Sequence, residues 1–412
     1  MNMSKLFEAA LNIGEPWFIS GVDFSAEQKR LEIRVDFTKG AAFKLPGIAG
    51  EHKAYDTVEK SWRHLNFFEH ECYLIARIPR VRTPDNKLHT VDPSWSGFLN
   101  GFTLLFEALI LQLATSMPVH ELSRIIKVSD HKIWAILDKY VDKARELEHY
   151  ANVEKIGIDE TSIAKGYSYI TLVVDLGTRR TIFVTEGKDA NTVVKFKEDF
   201  TNHGGDVNLI TDVSCDMSPA FIKGVKDNLP NSEITFDKFH ILKLINEAVD
   251  KVRRAEAATN PLLKGTRFIF MKNETNLTIK QKQEKEALCI SKQNLKSLRA
   301  LNIRETFQQI YNADNIKTFT SMLKDWYYWA THSKLEPIKQ VAYTIKRHWD
   351  GVIRWKQSQI NNGILEGLNS VVQAAKRKAR GYKLKHFKTI AYLLTGNLNF
   401  TKLNPNCYPP KI

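Results

Sequence analysis

Between residues 153 and 237 the sequence switches repeatedly between two kinds of hydrophobic periodicity, in an order few architectures accommodate. VEKIGIDE (153–160) is a short apolar run ending on acids and predicts a strand. YSYITLVVDLGTRRTIFVTEG (167–187) predicts two strands around a turn at Asp175-Leu176-Gly177. DANTVVKFKEDFTNHG (189–204) reads as a helix, VNLITDVSCD (207–216) as a strand, and SPAFIKGVKDNLP (218–230) as a helix with Pro219 at its first position. SEITFD (232–237) closes the segment as another strand. The expected product is an α/β core with a mixed sheet flanked by helices.

Acidic residues end key strands of this core, and the element order is that of the RNase H fold. Its first part is expected over 151–240. Residues 241–355 are polar with helical periodicity, carry KQKQEKE and the aromatic block WYYWA (326–330), and predict an all-α insertion. Residues 356–412 are expected to supply the last helix of the core and a basic tail. From 361 onward the tail holds nine Lys/Arg against one acid, Glu366.

Two further modules precede the core. Residues 1–97 predict a β-rich module, because WFISGVDF and RLEIRVDF alternate apolar and polar residues around a polar turn. WRHLNFFEHECYLIARIPRVR (62–82) continues it to the turn-type cluster TPDNK. Residues 98–150 become helical. Leu122, Ile125 and Ile126 form one stripe, and Ile133, Trp134, Ile136 and Leu137 a second, around a turn with Ser129 as N-cap. That is either a helix-turn-helix or an ordinary αα-hairpin, and the charge of the chain tips the choice toward DNA. In the first case His131 and Lys132 begin the recognition helix.

The charge is decisive about partners. Sixty Lys/Arg against 46 Asp/Glu give +14, which suits a polyanion such as nucleic acid. The four cysteines form no CxxC pair, which argues against a zinc finger or a disulfide scaffold. No membrane is expected as a partner, because the longest apolar stretch, 102–114, is broken by Glu107 and Gln112. A soluble, cytoplasmic protein is the expectation.

Phosphodiester chemistry on DNA needs hard divalent cations held by carboxylates, two Mg²⁺ (or Mn²⁺) ions being the expectation. Asp159 ends the first strand. Asp212 and Asp216 lie four residues apart and share a strand face, so parity does not separate them, but at about 3.3 Å per residue only one reaches the ions that Asp159 holds. Asp216, at the strand-to-helix junction, is the better placed; Asp212 is expected to tolerate loss. Glu366 is the third carboxylate. Helical spacing sets Ser370, Gln373, Arg377 and Arg380 on roughly its face, so metal ligand and phosphate contacts are expected together.

The blocks IGIDE, VSCDMSPAF, DKFH and NNGILEGLN, the last followed by KRKARGY, together resemble the DDE transposases of the ISL-three insertion-sequence family. WRHLNFFEHECYL is similar to that family's N-terminal module, so the likeness spans nearly the whole chain. The resemblance implies an RNase H-like core with a helical insertion and DNA transposition. It places the catalytic, metal-binding carboxylates on Asp159, Asp216 and Glu366, with Asp237 and His240 in support. The latter pair either orients phosphate or braces the site, or is a capping Asp beside a buried His. The implied partners are double-stranded DNA, as terminal inverted repeats and target, and further copies of the chain in a homodimer or larger synaptic complex.

One departure concerns zinc. The family commonly carries CPxC-type pairs where this chain reads LPGI (45–48) and TPDN (83–86), so no zinc is expected and Cys72 is read as a buried thiol. Phosphate contacts are expected from Lys376, Arg377, Lys378, Arg380, Lys383 and Lys385. WYYWA is read either as core packing or as a base-stacking surface, and His64 and His70 as structural histidines. Two other functions fit less of the pattern: a non-catalytic DNA-binding derivative, and an RNase H-fold nuclease or resolvase.

Overall fold

The computed structural model describes residues 3–99, 101–163, 169–290, 294–360 and 363–409. Asn361, Asn362, Tyr167 and Ser168, parts of the quoted motifs, lie outside the described residues. The chain divides into two compact units, Met1–Glu148 with Ala374–Ile412, and His149–Gln373.

The first unit begins with α1 (Met3–Leu11) and six strands: β1 (Trp17–Ser25), β2 (Arg30–Phe37), β3 (Ala42–Leu45), β4 (Ile48–Phe67), β5 (His70–Arg82) and β6 (Leu88–Thr90). They form one sheet in the order β1-β2-β5-β4-β3, with β6 on β5. Alternate residues of β2 and β5, Leu31, Ile33 and Val35 with Cys72, Leu74, Ala76 and Ile78, face one core, which explains the period-2 pattern in the sequence. LPGI is the turn from β3 to β4, where Gly47 adopts φ +75°, and TPDN is the turn from β5 to β6, where Asn86 adopts φ +64°. Phe37, Phe43, Leu45, Val81 and Val91 pack together beside these turns.

Three helices follow: α2 (Leu104–Ala114), α3 (Val119–Ile126) and α4 (Asp130–Glu146). Lys127 takes the left-handed conformation that ends α3, and Ser129 is the N-cap of α4. Leu122, Ile126, Ile133, Ile136 and Leu137 are buried as the two stripes require, whereas Ile125, expected in the first stripe, is 60% exposed and Trp134 is half-buried. The carboxylate of Glu107 is buried and accepts hydrogen bonds from the Phe98 and Leu99 N–H groups and from Tyr140 Oη, at 2.8–2.9 Å.

The second unit holds β7 (Lys155–Ser162), β8 (Tyr169–Asp175), β9 (Arg180–Glu186), α5 (Ala190–Asn202), β10 (Asp212–Cys215), α6 (Pro219–Asn228) and β11 (Glu233–Phe236). The sheet order is β11-β10-β7-β8-β9. β7, β8 and β9 are antiparallel neighbours, whereas β10 is parallel to both β7 and β11. Then come α7 (Lys238–Ala257), α8 (Arg267–Met271), α9 (Ile279–Ile290), α10 (Lys296–Ile310), α11 (Ile316–His332), α12 (Glu336–Arg347) and α13 (Trp349–Ser358). The expected boundaries at 240/241 and 355/356 fall inside α7 and α13, so the helical stretch grows directly out of the sheet's last strand. α13 lies on β11, where Gly351 is required because a Cβ there would stand 2.4 Å from the Phe236 ring. Of WYYWA, Trp326 and Ala330 are core, and Tyr328 and Trp329 are exposed.

α14 (Gly363–Lys378) and α15 (Leu384–Thr395) end the helices. α15 packs on α4 in the first unit, with Phe387 and Ile390 buried and His386 stacked on Trp134 at 3.8 Å. The physical reason is its own amphipathicity: a helix with a buried apolar stripe needs a partner, and α4 presents Trp134 and Asp138 to it.

Candidate active site

The strand register brings the expected aspartates together. β10 pairs in parallel with β7 so that Asp212 faces Lys155 and Ser214 faces Gly157. Continuing that register sets Asp216 level with Asp159. β10 also pairs with β11, Cys215 facing Phe236, so Asp216 is level with Asp237 as well. Asp216 and Asp237 thus follow the last residues of β10 and β11, and Asp159 lies level with them within β7, which runs on to Ser162 instead of ending at the aspartate as expected; the three strands are parallel neighbours about 4.8 Å apart. The aspartates stand at the carboxyl edge of the sheet, where crossover loops leave a crevice.

α14 adds the fourth acid by running along β7. Residues 157, 159 and 161 point to one face of the strand, about 6.6 Å apart, and residues 365, 369 and 373 to one face of the helix, about 6 Å apart. The two periods match, and each pair meets. Leu365 covers Gly157, Asn369 donates to Asp159 Oδ2, and Gln373 donates to Thr161 Oγ1 at 2.6 Å and to the Ser162 carbonyl at 3.0 Å. A Cβ on residue 157 would stand 2.5 Å from Leu365 Cδ1, which is why the IGIDE strand carries glycine. Glu366, next to Leu365, is exposed. Gln373 therefore fastens α14 to the sheet and is no phosphate contact. Asn369 was missed as a positioning residue, although it lies within the quoted EGLN motif.

The electrostatics tie these residues into one site. Burial pushes the Asp159 carboxyl up to about 6; Asp216 and Asp237 add to the rise, against the Glu160 N–H (2.8 Å) and His240. Glu160 is also raised, by burial first and then by Asp216. Glu366 is raised by partial desolvation and by Asp237, and eased by His240. Asp237 caps α7 through the Phe239 N–H at 2.9 Å, and its other oxygen lies 2.9 Å from His240 Nδ1. That contact, with Asp159 and Asp216 nearby, raises His240 above its ordinary value. Asp216 Oδ1 accepts from the Ser218 N–H at 2.9 Å.

Asp212 belongs elsewhere. It is buried at the opposite end of β10, accepts from Arg354 of α13 at 2.9 Å, and has Lys155 at 3.8 Å. Its role is to fasten α13 to the sheet, so its loss is not neutral for the fold.

Among the described residues no three His, Cys, Asp or Glu side chains converge at metal-ligand distance. The donor set nevertheless suits a hard divalent cation: carboxylates crowd one edge, and the Asn369 Oδ1 is a buried acceptor without a hydrogen-bond partner beside them.

The expected DNA contacts divide. His131 and Lys132 are exposed at the start of α4, and Arg377, Lys378, Arg380 and Lys383 are exposed at the end of α14 and beyond. Lys376 is half-buried, and desolvation lowers its pKa. Lys385 is committed to Asp138 at 2.6 Å, bracing α15 on α4, and is a poor candidate for a phosphate contact.

A family profile described as "Transposase" matches residues 156–391, more than half of the chain and all four site acids. The chain belongs to the ISL3 family of DDE transposases. A second profile, the helix-turn-helix domain of transposase family ISL3, matches residues 100–141 and covers α2, α3 and most of α4. The transposase for insertion sequence element IS1557 of Mycobacterium tuberculosis is 24% identical over 420 residues, spanning 93% of both chains. The transposase for IS1001 of Bordetella parapertussis is 24% identical over 349 residues, 80% of this chain and 83% of its own. This ISL3 transposase is thus an enzyme acting on DNA through a DDE domain and a helix-turn-helix domain. No helix among the described residues is long and apolar enough to cross a membrane.

Proposed function

We propose that this transposase has an RNase H-like core in which Asp159, Asp216 and Glu366 hold divalent cations, and that it cuts the ends of its insertion sequence and joins them to target DNA. The observation that carries the reading is the row of aspartates at one sheet edge, with α14 laid along β7 so that Glu366 accompanies it. Mg²⁺ or Mn²⁺ held by these carboxylates supplies an activated nucleophile and stabilises the leaving oxygen.

The protein's own groups do the rest. The Asn369 amide fixes the rotamer of Asp159, and Leu365 seated on Gly157 sets the height of Glu366 over the sheet. Asp237 is committed on both oxygens, to a backbone N–H and to His240, and so acts as a brace. His240, whose pKa is raised by Asp237 first and then by Asp159 and Asp216, offsets the carboxylates' repulsion when protonated and can then donate to a phosphate oxygen. The helix-turn-helix, through His131 and Lys132, reads terminal inverted repeats, and Arg377, Lys378, Arg380 and Lys383 neutralise phosphates. Two element ends must be held at once, which calls for a homodimer or larger synaptic complex. A cytoplasmic location follows from the substrate.

The test is strand transfer. Purified protein, Mg²⁺, labelled element ends and a target plasmid should give joined products that disappear in Asp216→Asn. Binding without cleavage would instead indicate a non-catalytic DNA-binding protein, and cleavage without joining a nuclease or resolvase.

A further inference from the structure

The face of α7 that leads away from Asp237 and His240 forms one wall of a cleft of about 560 Å³. Phe239 stands at its near end, and Lys243, Lys251 and Arg254 follow on the same helix. Arg267 and Lys272 line the opposite wall. From Phe239 to Arg254 the helix rises about 22 Å, a length that a few nucleotides of extended strand cover.

Three observations say what such a cleft takes. First, its charge is positive: the two acids in its lining are Glu247 and Asp250, and Asp250 is already bound to Arg253 and Arg254 at 2.7–3.1 Å. Second, apolar rings are left in water where packing would hide them. Phe239 is 54% exposed although its neighbours Asp237 and His240 belong to the active site, and Phe268, beside the far wall, is 57% exposed. Third, Asn246 lines the cleft with a buried side-chain oxygen that has no hydrogen-bond partner. Cations, exposed rings and an unspent amide are the elements with which proteins bind a single nucleic-acid strand: charge tracks the backbone, and rings receive unstacked bases. A B-form duplex does not fit a cleft of this volume.

We propose that this cleft is a channel for an unpaired DNA strand, which enters it directly from the scissile phosphate, with Phe239 stacking on the base next to the reaction centre. The inference rests on the transposase reading above, because it takes the carboxylate row as the place of cleavage. It assigns α7 two roles. Its N-terminus braces the site through Asp237, and its length guides the frayed strand.

The test uses full-length protein carrying Asp216→Asn, so that DNA is bound and not consumed. The probes are a blunt duplex, the same duplex with a five-nucleotide thymidine overhang, and oligothymidine alone. The overhang probe should bind more tightly than the blunt one. Lys251→Gln with Arg267→Gln should cancel that preference and flatten the salt dependence of overhang binding by about 1.4 in log–log slope, while blunt-duplex affinity stays within twofold. Phe239→Ala should weaken overhang binding roughly five- to 150-fold, and Phe239→Trp should restore it. Equal losses for blunt and overhang probes, or no change in either, would overturn the channel. Strand transfer by the protein with Asp216 intact is read separately. If it fails while the overhang preference depends on Lys251, Arg267 and Phe239, the transposition reading falls and the channel stands.

Discussion

Asp212 and Asp216 lie four residues apart on one strand, yet the structure assigns them opposite liabilities. The Asp212 side chain is 8% exposed, and its main partner Arg354 is 24% exposed. Breaking a buried ion pair costs about 3–5 kcal/mol when the remaining charge is stranded. In Asp212→Asn the amide keeps an oxygen for Arg354, Arg354 is partly solvated, and it retains Glu233 as a second partner. These features reduce the expected loss to about 1–3 kcal/mol. For a unit of this size that lowers Tm by roughly 2–12 °C. The folded fraction should still join DNA at a rate close to wild type, because Asp212 lies at the far end of β10. Asp216→Asn should do the reverse, leaving Tm unchanged or slightly raised, since it removes a charge that Asp159 and Glu160 feel, and abolishing strand transfer. Thermal unfolding and strand transfer on the same preparations decide it. A stable but inactive Asp212→Asn, or a fully active Asp216→Asn, would refute the assignment. A double-mutant cycle with Arg354→Met should recover a coupling of about 1–2 kcal/mol; additive losses would mean that Arg354 does not hold Asp212.

Other substitutions probe the zipper between β7 and α14 and the first unit. Gly157→Ala should cost about 1–3 kcal/mol by overpacking against Leu365 and should also lower strand transfer, with both recovered by adding Leu365→Ala. Asn369→Ala should reduce strand transfer about 10- to 100-fold by freeing Asp159, with little change in denaturant midpoint; a normal rate would remove its positioning role. His64 accounts for a pH effect. Burial lowers its pKa to about 4, so below 6.5 the unfolded chain takes up a proton that the folded chain refuses. Stability is therefore full above pH 6.5 and falls toward pH 4 by about 2–3 kcal/mol from this group. Urea titrations of wild type and His64→Gln across that range should show the smaller fall in the variant.

How much of this could be read from the chain depends on the distance over which each contact acts. Strands β7, β8, β9 and β11 and helices α5 and α6 were legible because their periodicities are local, and Pro219 marks its helix start without reference to anything else; of the strand expected over 207–216 only Asp212–Cys215 forms, Val207–Leu209 being a 3₁₀ turn. Asp159, Asp216 and Glu366 were legible as candidates, since acids at strand ends and on a lone basic helix are conspicuous. What α14 touches was not legible. Gln373 shares a helical face with Glu366 at the level of spacing, yet the match between a 6.6 Å strand period and a 6 Å helix period turns it onto Thr161. The docking of the tail was not legible for a related reason. Its charge suggests DNA, and its docking is decided by Phe387, Ile390 and the stack of His386 on Trp134, which no local pattern reveals.

The row of aspartates also explains why the chain places a histidine where it does. Three carboxylates borne level on neighbouring strands repel where solvent is thinned. A nearby positive charge relieves that repulsion. A cation fixed on the sheet edge itself would crowd the crevice there. Asp237 solves this by capping α7, because the cap orients the first helical turn and brings His240 back onto Asp237 itself. When His240 is protonated, the charge comes from a group held by Asp237 of the same row. On this argument His240→Gln should leave α7 capped and the protein folded. The uncompensated carboxylates should then bind divalent cation more tightly, while strand transfer slows through loss of the phosphate donor. Tighter Mn²⁺ binding with slower joining is a combination that a merely structural histidine would not produce, and isothermal titration beside the joining assay reads both.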